Sequence, residues 1–166
     1  MIIRDAFKGE LPFIRTQRVL AYSEHATSVS SEHWQALKQA ISSEADVQDG
    51  VELIVAEIDG EILGSVALFP PQSDAYEGIV DKLDYSEIRL LAVSTEARGK
   101  GVASALIKEC MKRTKEKGID SIGLHTADFM KSAMKLYEGF GFERIPQYDF
   151  EPANDGVIVK AFRRSV

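Results

Sequence analysis

Apolar residues recur along the first fifty positions with the spacing of an α-helix. The segments 11–26 and 28–45 each carry apolar side chains three or four positions apart, separated by charged and polar residues. Ser30 or Ser31 can cap the second of these helices. The acidic and polar stretch 42–50 is predicted to be a loop. The first part of the chain is therefore predicted to be two helices.

The pattern changes at Val51 to two runs of β-branched and apolar residues. The runs Val51–Ile58 and Ile62–Phe69 flank the dipeptide Asp59-Gly60. An Asp-Gly pair between two such runs is a strong signal for a tight hairpin. Two prolines end the second run, and an acidic stretch, 70–86, follows as a long loop. The runs are therefore predicted to be antiparallel neighbours.

Helical and strand spacings alternate over the rest of the chain. The residues 87–93 and 120–126 have the pattern of strands, and Lys100–Lys117 and 128–142 have the pattern of helices, the second ended by Gly139 or Gly141. Two final strands are predicted from Phe142 and over 155–164. A strand–helix–strand order predicts a parallel pair joined by a right-handed crossover.

Together these elements predict the fold class and the domain organisation. We expect an α/β fold, more narrowly an α+β arrangement with a mixed sheet. It contains an antiparallel N-terminal hairpin, a central parallel strand pair and flanking helices. The length of 166 residues suits a single domain over residues 1–166.

Composition narrows the classes of function. The net charge of −6 argues against nucleic-acid binding as the main function. The single cysteine excludes an internal disulfide and fits a reducing, cytoplasmic location. No apolar run is long enough to span a membrane, and the N-terminus lacks the pattern of a signal peptide. Cys110 falls on the apolar stripe of its helix, where core packing is the better interpretation than covalent catalysis.

The stretch "ARGKGVAS", 97–104, lies between the third strand and its helix and is both basic and glycine-rich. The first turn of a helix exposes N–H groups and the positive end of the helix dipole, so it can bind an anion. Gly99 and Gly101 allow the backbone to approach closely, and Arg98 and Lys100 add positive charge. The spacing is not that of a Walker A loop, and it matches only part of the dinucleotide fingerprint. The alternatives are a pyrophosphate site and a solvated turn.

Two motifs resemble those of the GCN5-related N-acetyltransferase (GNAT) family. The segment "RGKGVA" is similar to the family motif Arg/Gln-x-x-Gly-x-Gly/Ala, filled here by Arg98, Gly101 and Ala103. Downstream, "AMKLYEGFGF" is similar to Ala-x-x-Leu-Tyr-x-x-x-Gly-Phe. The resemblance extends from about Val51 to Arg144. One departure is Met130, which stands where many relatives have an asparagine that contacts CoA.

The resemblance implies acetyl-CoA as the co-substrate, without a metal. It implies that the glycine-rich corner binds the CoA pyrophosphate and that the preceding strand edge binds the pantetheine arm as an added strand would. The cofactor-binding residues implied are Leu91, Ala92, Val93, Arg98, Gly99, Lys100, Gly101, Val102, Ala103, Ser104, Met130 and Tyr137.

The resemblance also implies a reaction, the acetylation of a primary amine by direct attack. Tyr137 is the candidate general acid for the CoA thiolate, and its alternative role is that of a core aromatic. Glu87 and His125 are candidate bases, alongside water, and each has a structural alternative. A module that binds acetyl-CoA without turnover is the rival function.

The acceptor is expected to be a small-molecule or peptide amine, with no nucleic-acid or membrane partner. An acidic rim on the loop could recruit a cationic amine, although a solvated acidic loop explains the same residues. A homodimer is among the oligomeric states left open. The rim residues are Asp74, Glu77, Asp81 and Asp84.

Overall fold

The computed structural model describes residues 1–73 and 82–166, which form seven β-strands and four α-helices. In chain order the elements are β1 (Ile2–Asp5), α1 (Leu11–Tyr22), α2 (Ser31–Ile41), β2 (Glu52–Ile58), β3 (Glu61–Phe69), β4 (Ser86–Val93), α3 (Val102–Glu116), β5 (Ser121–Ala127), α4 (Lys131–Gly139), β6 (Glu143–Arg144) and β7 (Val159–Ser165).

Neighbouring strands are joined by hydrogen bonds in the order β1-β2-β3-β4-β5-β7-β6. The pair β4 and β5 is parallel, and the pairs β1–β2, β2–β3, β5–β7 and β6–β7 are antiparallel. The predicted mixed α/β fold, with its hairpin and its central parallel pair, is therefore confirmed.

The chain forms two compact units, one of residues 1–68 and 89–110 and the other of residues 69–88 and 111–166. The single domain inferred from the chain length stays a prediction. Among the residues that the structure describes, no helix has both the length and the apolar composition that a membrane span requires.

The first unit contains the predicted hairpin. Asp59 and Gly60 have φ of 51° and 81°, the left-handed pair that a tight two-residue turn needs. Gly64 in β3 lies so close to α3 that a Cβ there would be 2.8 Å from Cγ1 of Val102. A glycine at this position thus lets the helix pack directly on the strand. Buried aliphatic side chains from the hairpin and α3 fill the core of this unit.

Three details of the first unit differ from the prediction. The strand β1, which pairs antiparallel with β2, was not predicted. Helix α1 ends at Tyr22, and a 3-10 segment, Ser23–Ser28, follows it. The predicted loop 42–50 contains a 3-10 turn, Glu44–Val47. The cap of α2 was predicted correctly, since the side chain of Ser30 accepts a hydrogen bond from the His33 amide at 3.1 Å.

The second unit contains β5, β6 and β7, helix α4 and the first part of β4. Helix α4 ends at Gly139, and Gly141, with φ of 84°, turns the chain away from it. The predicted final strands pair antiparallel, as β6 and β7. Gly123 in β5 lies beneath the ring of Tyr85, where a Cβ would be 2.4 Å from a ring carbon. This contact fixes Tyr85 against the sheet.

Candidate active site

The glycine-rich corner joins β4 to α3 within the first unit. Gly99 and Gly101 have φ of 80° and 78°, backbone angles that residues other than glycine rarely adopt. A Cβ built on either glycine would meet nothing within 4 Å. The backbone conformation, and not crowding, therefore requires glycine here, and the surrounding space is open.

Helix α3 begins directly after this corner and has 15 residues. The carbonyl oxygen of Gly101 accepts the first helical hydrogen bond, from the Ala105 amide at 3.0 Å. The amides of Val102, Ala103 and Ser104 thus fall in the first turn, where N–H groups have no partner within the helix. The corner therefore combines an accessible backbone with the positive end of a helix dipole.

The predicted cation Arg98 is paired with a carboxylate. Its guanidinium contacts the Glu24 side chain in the segment Ser23–Ser28, and the two side chains are 45% and 42% exposed. Exposed ion pairs contribute little stability because water screens them. Sequence reasoning missed this contact, since the two residues lie 74 positions apart.

The strand β4 carries a local distortion ahead of the corner. Leu90 has φ of 60°, a strained conformation for a leucine. Such strain is concentrated at functional sites in proteins. The parallel ladder with β5 runs over Ser86–Ile88, and the predicted cofactor-binding residues Leu91–Val93 follow it in the chain.

In the second unit, the structure brings together the two predicted bases. Nδ1 of His125 lies 3.2 Å from both carboxylate oxygens of Glu87, and Nε2 lies 3.0 Å from the carbonyl oxygen of Tyr148. The side chains of His125 and Glu87 are 2% and 4% exposed. The register explains the contact, because Glu87 pairs with Gly123, two residues before His125 on β5.

The contacts of His125 restrict where protons can be. A carbonyl oxygen only accepts hydrogen bonds, so Nε2 carries a proton. Nδ1 then faces two carboxylate oxygens, and a hydrogen bond there requires a second proton, either on Nδ1 or on the carboxyl group of Glu87. A hydrogen-bonded proton therefore joins the two side chains.

Neighbouring residues hold this pair in place. The Phe150 ring packs against the imidazole with the ring centroids 5.4 Å apart. Arg144 binds Asp149 through two hydrogen bonds of 2.8 and 2.5 Å, which fixes the residue next to Tyr148.

Burial and the nearby Glu87 carboxylate raise the pKa of Tyr85 to about 12, so its hydroxyl stays protonated at neutral pH.

Tyr137, the predicted general acid, lies on α4 and is buried. Its ring packs edge-on against Phe142, with the centroids 6.0 Å apart. Met130 occupies the N-cap position of α4, and the Thr126 hydroxyl donates to its sulfur at 3.6 Å. The aromatic ring of Tyr137 therefore contributes to the core of this unit, whatever the role of its hydroxyl.

Of the acidic rim, Asp74, Glu77 and Asp81 lie outside the described residues, and Asp84 is exposed. Within the described ranges, no cluster of three or more His, Cys, Asp or Glu side chains could hold a metal ion.

Sequence reasoning also missed a buried charge cluster in the first unit. Arg18 is 0% exposed and donates from Nη1 to Oδ2 of Asp46 at 3.1 Å, while Arg15 binds both oxygens of the same carboxylate. Arg18 lies on the helical face of Ile14 and Ala21, both buried. A cation within an apolar stripe was the signal that could have revealed it.

Comparison with known proteins identifies the family. The family model for the acetyltransferase (GNAT) family matches residues 16–142. The chain belongs to the GNAT family. The match includes the glycine-rich corner, the Glu87–His125 pair and Tyr137.

The relatives of this GNAT chain include a mammalian protein. The chain is 31% identical over 97 residues to the rat protein "N-acetyltransferase family 8 member 2", which covers 57% of this chain and 39% of the rat protein. The match therefore spans about two fifths of that relative's length.

The fold recurs in solved structures of the family. A GNAT acetyltransferase from Streptococcus agalactiae superposes with a TM-score of 0.78 at 18% identity, covering 99% of this chain and 95% of the other. The PaiA N-acetyltransferase of Thermoplasma acidophilum, solved in complex with coenzyme A, gives 0.72 at 16% identity, with coverage of 99% and 98%.

Proposed function

We propose that this GNAT chain transfers the acetyl group of acetyl-CoA to a primary amine of a small molecule or a peptide. The observation that carries the proposal is the corner at the start of α3. Two glycines with positive φ, on either of which a Cβ would meet nothing within 4 Å, lead directly into the first turn of a 15-residue helix. Backbone N–H groups at such a position suit a pyrophosphate. The rat relative's name, an N-acetyltransferase, supports acetyl transfer, and the coenzyme A complex of the PaiA neighbour supports the donor.

The donor would bind along β4 and the corner. The pantetheine arm would lie along Leu91–Val93 and hydrogen-bond to their backbone as an added strand does. The pyrophosphate would bind the amides of residues 99–104, with Lys100 nearby. These residues belong to one compact unit. Arg98 would contribute by exchanging its contact with Glu24 for a phosphate oxygen.

The chemistry requires three proton transfers, two from the amine nitrogen and one to the CoA thiolate. An alkylammonium has a pKa of about 10.4, so at neutral pH it must lose a proton before it attacks. We assign this proton to Glu87, acting with His125. The amine nitrogen then bonds to the thioester carbonyl carbon, the C–S bond breaks, and the CoA thiolate takes a proton from the Tyr137 hydroxyl. The nitrogen gives up its second proton, which restores the Tyr137 hydroxyl and leaves a neutral amide. The backbone N–H of Val93 would stabilise the oxyanion.

The first experiment is thermal unfolding with and without acetyl-CoA, with NAD and ATP as controls. A ligand at about 100 times its Kd adds about 2.7 kcal/mol to folded-state stability. For a chain of this size that is a melting shift of about 5–10 °C. A shift with NAD or ATP and none with acetyl-CoA would refute the assignment of the corner.

A second experiment tests catalysis. Tyr137→Phe keeps the buried ring and removes the hydroxyl, so turnover should fall by about 10²–10⁴-fold while acetyl-CoA still shifts the melting temperature. Unchanged turnover would remove Tyr137 from the mechanism. Binding of acetyl-CoA by the parent without turnover of any amine would favour the rival function, a non-catalytic acetyl-CoA-binding module.

A further inference from the structure

The buried Arg18 guanidinium has hydrogen-bond donors that no residue in the described ranges 1–73 and 82–166 satisfies. Nη1 donates to the carbonyl oxygen of Ile41 at 2.7 Å and to Asp46 at 3.1 Å. Nε and Nη2 are buried and have no hydrogen-bond partner in the part of the chain that the structure describes. Buried charged donors in proteins are almost always paired, so this one needs an explanation.

The unpaired atoms form one specific edge of the guanidinium. The N–H of Nε and one N–H of Nη2 point in parallel and fit the two oxygens of a carboxylate. Arg15 uses this same edge to bind Asp46, with Nε at 3.2 Å from Oδ2 and Nη2 at 2.7 Å from Oδ1. The corresponding edge of Arg18 is therefore arranged for a second carboxylate.

The surrounding charges also favour an anion. Two guanidiniums share one carboxylate, that of the buried Asp46, and the exposed Glu44 acts on Arg15. Tyr22 follows Arg18 by one helical turn on α1. Burial raises the pKa of its hydroxyl, while the positive charges of Arg18 and Arg89 oppose that rise. The Tyr22 hydroxyl is therefore neutral at physiological pH and can donate a hydrogen bond. The positive charges of Arg18 and Arg89 both act on it.

The charge of Arg89, on β4, also acts on the Tyr22 hydroxyl of this cluster. Tyr22 and Arg89 are half-buried, whereas Arg18 is enclosed. Arg89 lies on β4 two residues before Leu91. An anion held here would lie in the same compact unit as the strand edge proposed for the acyl donor.

We propose that Arg18, Tyr22 and Arg89 bind a carboxylate of the acceptor, so that the acceptor is an amino acid or another small amino-carboxylate. This inference rests on the proposed acetyl transfer and names its substrate class. Arg18 supplies two parallel hydrogen bonds, Tyr22 supplies a hydroxyl donor, and Arg89 supplies a second positive charge. Because Arg18 is enclosed, the acceptor must displace covering side chains to reach it.

The test compares amines that differ only in the carboxylate. Steady-state acetylation is measured for a panel of L-amino acids and the amino alcohols derived from them, whose amines have similar basicity. The parent should show kcat/KM at least tenfold higher for the amino acids, mainly through KM. Arg18→Gln should bring the two classes to parity. Arg15→Gln, which removes a positive charge from the same cluster and keeps the Arg18 edge, should retain the preference.

A second variant and a binding measurement keep the test decisive. Arg18→Lys keeps the charge and removes the parallel N–H edge, so it should lose most of the preference even if Arg18→Gln does not fold. Titration calorimetry of amino acids and amino alcohols with the parent reports the subsite without turnover. Equal kcat/KM for both classes, or a preference that survives in folded Arg18 variants, would overturn the subsite and leave acetyl transfer intact. Amino-acid binding without turnover of any amine would overturn the acetyl transfer instead.

Discussion

The replacement Gly101→Ala tests the donor site with a control that the chain itself provides. Gly101 has φ of 78° and Gly60, in the turn between β2 and β3, has φ of 81°; a Cβ at either would meet nothing within 4 Å. An alanine in the left-handed region costs about 1–2 kcal/mol. Both variants should therefore lose similar stability, which lowers the melting temperature by roughly 2–8 °C.

Ligand binding should separate the two variants. A methyl group at Gly101 would enter the open space around this residue, which directly precedes the first turn of α3, whose amides are proposed to bind the pyrophosphate. A hydrogen bond to a charged group contributes about 1.5–3 kcal/mol. The weakening or loss of one such bond should raise the Kd for acetyl-CoA at least tenfold, since a factor of ten corresponds to about 1.4 kcal/mol. Gly60→Ala should leave the Kd unchanged.

The assay is calorimetric titration of acetyl-CoA into each variant, with thermal unfolding of the same samples. Thermal unfolding establishes that the two variants carry the same backbone penalty, so a difference in Kd reports on the corner alone. If Gly101→Ala binds acetyl-CoA as tightly as Gly60→Ala does, the pyrophosphate does not bind at this corner.

Three further predictions concern the second unit. Glu87→Gln and His125→Gln should each lower kcat. Because the two side chains act as one pair, the double variant should be no slower than Glu87→Gln alone. Losses in kcat that add up in the double variant would contradict this. Gly123→Ala should lower the free energy of unfolding by about 1–3 kcal/mol, measured by urea denaturation, because the new Cβ would lie 2.4 Å from a tyrosine ring carbon; an unchanged midpoint would exclude the overlap. Burial acts to raise the pKa of Asp149, but its arginine partner and a backbone N–H outweigh burial and hold it below the usual value. The stability that Asp149 contributes is therefore complete above about pH 4 and is lost as the pH falls through the lowered pKa. Asp149→Asn should flatten the acid side of a pH–stability curve, and an unchanged slope would count against the pair.

Features fixed by neighbouring residues were predictable from the sequence. The Asp59-Gly60 turn needs two adjacent residues that tolerate positive φ, and both adopt it. The cap of α2 by Ser30 and the end of α4 near Gly139 depend on positions only a few residues apart. Strand β1 was missed because four residues at an edge carry too short a pattern, and its pairing partner, β2, lies about fifty positions away.

Contacts between distant residues could not be predicted, even where each residue was named. Glu87 and His125 were each candidates for the base, but their contact depends on the parallel register that sets Glu87 opposite Gly123. No sequence pattern encodes that register. The ion pair of Arg98 with Glu24 and that of Arg18 with Asp46 join residues 74 and 28 positions apart. These two ion pairs can be recognised only in the folded structure.

The ion pair of Arg98 changes how the corner should bind phosphate. From sequence, the first-turn amides, the glycines and the cations Arg98 and Lys100 were all expected to contribute to anion binding. In the structure, Arg98 already has a carboxylate partner, Glu24, so a phosphate that recruits it must displace that contact. The backbone amides at the start of α3 require no such exchange, because the first turn of a helix leaves them without an intrahelical acceptor. The net contribution of Arg98 is the difference between two exposed ion pairs, which is small. The phosphate affinity of this corner should therefore come mainly from backbone geometry, which only glycine at positions 99 and 101 allows.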